Sequence, residues 1–141
     1  MAPHLTHIAL QVGDLDASVV FYEEFCGMHL SHQRMDEAMR VAWIAEPSHD
    51  DDFVFVLIER AGRRPQAEDD FGHLGFALES REAVDEIAAR AGPRLAWPPR
   101  DHPFPTGYLC GVRDPDGNIV EFSYGQPLRP ALHKPQPGPR A

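Results

Sequence analysis

The sequence predicts an α+β chain built from two βαβββ modules, with helices on one side of curved mixed sheets. Three observations predict it. The chain nearly repeats itself: Thr6-His7-Ile8-Ala9-Leu10-Gln11-Val12 is echoed 66 residues later by Gly72-His73-Leu74-Gly75-Phe76-Ala77-Leu78. Each copy alternates as a half-buried strand does. At the same offset, Asp14 and Ser80 each precede a helical stripe, and extended stretches follow both helices.

Element by element, residues 5–12 read as a strand bounded by Gly13-Asp14. Asp14 then caps a helix with Leu15, Val19, Tyr22 and Cys26 on one face, and Gly27 stands where a left-handed cap ends it. Strands are predicted over 28–35, 38–45 and 52–59. The last contains Phe53-Val54-Phe55-Val56-Leu57-Ile58 and is expected to be buried on both faces. Residues 61–71, with Gly62 and Pro65, read as the linker between module one (4–60) and module two (72–125) of one domain spanning 1–125. In module two a strand over 72–79 precedes a helix with Val84, Ile87, Ala88 and Ala91 on one face, stopped by Gly92-Pro93. Pro98 to Pro105 reads as a loop or an irregular edge strand. Residues 107–113 and 118–124 form a hairpin across Asp114-Pro115-Asp116-Gly117, which suits a type I turn with a bulge. The tail 126–141, rich in proline, is expected to form neither a helix nor a central strand.

At 141 residues the chain is one ordinary domain, and a net charge of −9 argues against nucleic acid as its main partner. No window is long and apolar enough to span a membrane, and the N-terminus has no apolar signal core. Cys26 and Cys110 form no motif and are expected to be reduced thiols of a cytoplasmic protein.

Strand alternation gives the repeated histidines a direction. Ile8, Leu10 and Val12 share the face that packs on the helix, and His7, Ala9 and Gln11 share the other. Leu74, Phe76 and Leu78 likewise face the helix, and His73, Gly75, Ala77 and Glu79 face away. In the last strand Glu121 belongs with Ile119 and Ser123, on the side of the histidines. A lone strand histidine is most often only hydrogen-bonded, and a lone carboxylate near a turn is most often solvated. Coincidence does not place two histidines at one point of matching strands. Two imidazoles and a carboxylate facing one cavity suit a divalent metal with open positions.

These residues resemble the vicinal oxygen chelate superfamily, which includes glyoxalase I, type I extradiol dioxygenases, fosfomycin-modifying enzymes and bleomycin-binding proteins. The resemblance covers about residues 4 to 125. It rests on His7-Ile8-Ala9-Leu10-Gln11-Val12-Gly13-Asp14-Leu15, on Phe21-Tyr22 and Cys26-Gly27-Met28, on Gly72-His73-Leu74-Gly75-Phe76, and above all on Arg113-Asp114-Pro115-Asp116-Gly117-Asn118-Ile119-Val120-Glu121-Phe122. It implies paired βαβββ modules forming a cleft around one divalent metal ion (Fe, Zn, Ni, Co or Mn), with His7, His73 and Glu121 as ligands. Many relatives have a fourth ligand on the last strand of module one. The offset maps Glu121 onto Phe55, and the glyoxalase pattern places the carboxylate around Val56, so Glu59 fits that role poorly and a three-ligand site is favoured. Ring-cleaving relatives carry a tyrosine about where Gly111 stands, and fosfomycin-modifying relatives a threonine where Ala9 stands.

The expectation is therefore a metal-dependent enzyme acting on a small substrate with vicinal oxygens, extradiol-dioxygenase-like or glyoxalase-like, with ring cleavage ahead. The candidate acids and bases are Glu59, His102 and Tyr108, with Trp97, Phe104 and Tyr108 as an aromatic wall. Gln11, Glu79 and Ser123 are placed to support the ligands. A homodimer is expected, with sites inside one chain or between swapped modules. The rival is a metal-free protein that sequesters an antibiotic or metabolite in the same cleft.

Overall fold

The computed structural model describes residues 1–133. Its elements run β1 (His7–Val12), α1 (Leu15–Cys26), β2 (His29–Asp36), β3 (Met39–Ala45), β4 (Val54–Glu59), β5 (Leu74–Ala77), α2 (Arg81–Ala91), β6 (Leu95–His102), β7 (Gly107–Arg113) and β8 (Ile119–Tyr124). The strands form two four-stranded mixed sheets, ordered β1-β4-β3-β2 and β5-β8-β7-β6. This is the repeated βαβββ plan. Two compact units result: Met1–Glu68 with Asp114–Asn118, and Asp69–Arg113 with the described residues from Ile119 on.

In the first unit Asp14 accepts a hydrogen bond from the Ala17 amide at 2.9 Å, and Gly27 closes α1 at φ 65°. The helix buries Leu15, Ser18, Phe21 and Tyr22. Ser18 and Phe21 thus take core places that the apolar stripe assigned to Val19 and Cys26, which are half-buried. β4 lies between a parallel β1 and an antiparallel β3. Phe55 and Leu57 are buried on its helix side, whereas Val54, Val56 and Ile58 are only half-buried. The strand is therefore not buried on both faces as its composition predicts. Helix α1 covers one face of the sheet and leaves the other to a cavity.

The turn Asp114–Asn118 belongs by its contacts to the first unit. Asp114 accepts hydrogen bonds from the Tyr22 hydroxyl at 2.8 Å, from the Asp116 and Asn118 amides at 2.9 Å each, and from Asn118 Nδ2 at 2.8 Å. Asp116 accepts from the Gly13 amide at 2.8 Å. Gly117 holds φ 83°, the left-handed position that the turn requires.

In the second unit Ser80 caps the Ala83 amide at 3.0 Å, and α2 buries Val84, Ile87, Ala88 and Ala91, as the stripe predicts. β6 is an edge strand with register shifts near Trp97. Pro98 and Pro99 fall there, where absent amides cost no central ladder bonds. One 3-10 turn over Pro130–Leu132 departs from the expectation of a helix-free tail. Proline suits the first position of such a turn, where its missing amide is no loss. Tail residues 134–141 lie outside the described residues. No helix among the described residues is long and apolar enough to cross a membrane.

Candidate metal centre

Register places one row of residues across the second sheet. Glu121 on β8 stands between Gly75 on β5 and Gly111 on β7, and Gly111 stands beside Trp97 on β6. Glu121 is thus flanked by two residues without side chains. It is 5% exposed. Its carboxylate meets His73 Nε2 at 3.0 Å, its one described side-chain partner.

The other nitrogen of that ring explains why this pair matters. His73 Nδ1 lies 2.8 Å from the Phe71 carbonyl oxygen. A carbonyl only accepts, so Nδ1 carries the proton, and in a neutral ring Nε2 is bare. A bare nitrogen then faces a carboxylate oxygen, acceptor against acceptor. A second proton or a metal ion between them resolves the conflict. A separation of 3.0 Å is one that two neighbouring ligands of a single ion have, at ligand distances of about 2.1 Å. A buried carboxylate without a cation is costly, so this donor set fits a divalent ion.

His7 occupies the matching place in the first unit. It pairs with Val54 in register, and its Nδ1 lies 3.0 Å from the Thr6 hydroxyl, leaving Nε2 without a partner among the described residues. It lines a cavity of about 460 Å³ with Val54, Val56, Trp43 and Arg34. Register also identifies the residue that corresponds to Glu121. Gly75 pairs with Glu121, and its counterpart Ala9 pairs with Val56. An apolar side chain thus stands where a fourth carboxylate ligand would be. Among the described residues no group of three or more His, Cys, Asp or Glu is gathered as a metal cluster. The structure brings His73 and Glu121 together and places His7 in the other unit.

The remaining candidates have other partners. Glu59 lies beside Val12, takes the Arg40 guanidinium at 2.7 and 3.0 Å, and accepts from the Leu15 amide at 2.8 Å. These bonds, Arg40 first, lower its pKa to about 2. A carboxylate so held is a poor base, and its role is to tie β3 to the start of α1. Its contribution to stability is present above its ordinary value of 4.5 and is lost as pH falls through about 2. Glu59→Gln is expected to be less stable than wild type at neutral pH, with the difference closing across that window. Acid-induced unfolding followed by circular dichroism checks it. Turnover is expected to stay within about twofold.

Tyr108 is likewise engaged. It donates to Asp85 at 2.6 Å, and the Arg81 guanidinium lies 3.9 Å from its ring centroid. The hydrogen bond to Asp85 raises its pKa, so it is a donor rather than a base. His102 ends β6 opposite Gly107, in a strand rather than a covering loop. Gln11 donates to the Arg60 carbonyl at 3.1 Å, and Ser123 Oγ lies 3.4 Å from Gln126. Phe104 is exposed. Burial raises the pKa of both thiols, that of Cys110 to about 11, so neither is a ready nucleophile.

Trp97 packs beside the His73–Glu121 pair. Its ring lies edge-to-face with His73 at 5.5 Å. A β-carbon at Gly111 would meet the indole at 2.6 Å. Gly111 therefore has no side chain because Trp97 lies over it. Gly111→Ala is expected to cost about 1–3 kcal/mol by overpacking, and to red-shift Trp97 emission in a Trp43→Phe background.

Sequence reasoning passed over Arg34 and Trp43. Neither lies in a motif, and only the β2-β3-β4 register brings them to the cavity.

Comparison with known proteins agrees with this fold. The model of the Glyoxalase/Bleomycin resistance protein/Dioxygenase superfamily matches residues 4–122. An uncharacterized protein of Pseudomonas aeruginosa is 54% identical over 92% of this chain and 94% of its own length. A probable lactoylglutathione lyase of Vibrio parahaemolyticus is 30% identical over 84% of this chain and 88% of its own. Among solved structures, a mutant fosfomycin resistance protein from Listeria monocytogenes, complexed with Mn(II) and a dihydroxypropylphosphonic acid, has the same fold. Its TM-score is 0.71 at 20% identity, covering 94% of this chain and all of that one. The repeated modules, the two mixed sheets and the family match lead to one conclusion: the chain belongs to the Glyoxalase/Bleomycin resistance protein/Dioxygenase superfamily.

Proposed function

We propose that this protein is a divalent-metal-dependent enzyme of the glyoxalase-like kind, in which His7, His73 and Glu121 hold one ion. The observation that carries this reading is the Nε2 of His73 facing the buried Glu121 carboxylate at 3.0 Å while Nδ1 is held by the Phe71 carbonyl. When bound, such an ion polarises adjacent oxygens of a small substrate. The chain's own residues do the rest. The Phe71 carbonyl fixes the His73 tautomer, Trp97 packs beside that ring, and Val56 keeps the ligand set at three side chains. With Glu59 and Tyr108 committed elsewhere, His102 is the remaining candidate to move a proton.

The relatives' names support ranking proton transfer between adjacent oxygen-bearing carbons ahead of ring cleavage. Lactoylglutathione lyase is the description of the Vibrio relative. A ring-cleaving dioxygenase is the second reading, favoured by Val56 and the resulting two-histidine, one-carboxylate set. The metal can be Fe, Zn, Ni, Co or Mn. The active form is proposed as a homodimer, since β1 and β5 each pair on one edge only among the described residues, and its location as the cytoplasm.

The test is to load metal-free protein with each ion and assay interconversion of lactoylglutathione with glutathione and its 2-oxoaldehyde, with a catechol as the second substrate. Turnover that needs a metal and is lost in His73→Ala supports the enzyme. Ligand binding without metal, kept in His73→Ala, gives the sequestering protein instead.

A further inference from the structure

The cavity of the first unit holds donors that no described residue uses. Arg34 Nε lies 2.9 Å from both oxygens of Asp36, which leaves the two terminal nitrogens without an acceptor among the described residues. The guanidinium carbon stands 5.3 Å from the Trp43 ring centroid, and the His32 ring, also on β2, lies 4.9 Å from that ring. Trp43 Nε1 is buried with no hydrogen-bond partner. A buried donor without an acceptor is rare enough to need an explanation. Both residues line the cavity that His7 also lines, with Val54 and Val56 as its apolar part. An open guanidinium edge over an indole suits a flat ligand with a carboxylate, which matches the fork of arginine.

The rim restricts the charge of that ligand. Asp50, Asp51 and Asp52 line the same cavity. Asp50 faces His29 at 3.5 Å and Asp52 faces His49 at 3.7 Å. These carboxylates stand on the loop between β3 and β4, whereas Arg34 stands on β2. They repel a second negative charge on a ligand while Arg34 holds the first.

We propose that Arg34 and Trp43 form the anchoring site for one carboxylate of a substrate that is flat and singly charged at that end. As a statement about substrate, this rests on the reading of His7 as a metal ligand, because His7 lines the same cavity. The anchoring itself needs no metal, which makes the two separable.

The experiment is calorimetric titration of the metal-free full-length protein with benzoate, with neutral benzamide and with doubly charged terephthalate. Arg34→Ala and Arg34→Lys are run beside it, with thermal melting as a check on folding and metal uptake measured in parallel. Benzoate is expected to bind at least about tenfold more tightly than either comparison probe. Arg34→Ala is expected to weaken benzoate about tenfold, Arg34→Lys less, and both variants to take up metal as wild type does. Equal binding of benzoate and benzamide, no effect of Arg34→Ala, or no benzoate binding by wild type overturns the proposal. If metal is bound while Arg34 is without effect, the anchor fails alone. If Arg34 selects benzoate in a chain that takes up no metal, the metal reading fails alone.

Discussion

Glu121→Gln is expected to remove metal uptake and turnover while leaving the metal-free protein at least as stable as wild type. The two halves of that result have one cause. Glu121 is 5% exposed, and its carboxylate has His73 as its one described side-chain partner. In the absence of a cation, burying that charge is unfavourable, and a neutral amide of the same shape relieves it. The amide also offers His73 Nε2 a donor in place of an opposing acceptor. With metal present the sign reverses, because an ion that binds only the folded chain stabilises it by mass action. Wild type should therefore melt at a higher temperature when metal is added, and Glu121→Gln should not respond. Metal affinity is expected to fall by at least about 100-fold, since losing even an outer-shell partner costs 10–100-fold. Melting curves with and without metal read both effects. A metal-induced rise in the variant as large as in wild type contradicts the assignment.

The second large effect is structural. Asp114 is buried and collects four hydrogen bonds, from Tyr22, Asp116 and twice from Asn118. Burial, and then the charge of Asp114, raise the pKa of the Tyr22 phenol well above its ordinary range, so it stays a donor. Asp114→Ala strands all four donors and is expected to cost about 3–5 kcal/mol. Tyr22→Phe removes one of them and is expected to cost about 1–2 kcal/mol. Urea unfolding measures both. The consequence reaches the metal centre, because β8 begins at Ile119, directly after this turn, and carries Glu121. Asp114→Ala should therefore weaken metal uptake as well as stability. A variant within about 1 kcal/mol of wild type contradicts this account of the turn.

The parts of the molecule legible in the sequence are those with local causes. Both helices follow from a capping side chain and an apolar stripe, and the hairpin follows from its turn residues. His73 and Glu121 were legible because the repeat and the strand alternation placed them on one face. Glu59 was not, since its partner Arg40 lies on a different strand and no local pattern links them. The same holds for the double-sided burial expected of β4. Its apolar run is visible in sequence, but which face a helix covers is decided by tertiary packing. Register makes Val56 the counterpart of Glu121, where the family pattern also pointed, whereas a fixed offset of 66 points to Phe55. Arg34 and Trp43 depend on three strands pairing. The membership of Asp114–Asn118 in the first unit depends on contacts such as that between Tyr22 and Asp114, 92 residues apart.

The central claim is that His7, His73 and Glu121 serve one ion, and elemental analysis of untagged protein tests it most directly. Wild type, His7→Ala and His73→Ala would be exposed in turn to iron, zinc, nickel, cobalt and manganese, freed of excess, and measured for metal per chain. The account predicts about one ion per chain in wild type for at least one metal, and none in either variant. Full metal content in His7→Ala, or no metal in wild type with any of the five ions, would contradict it.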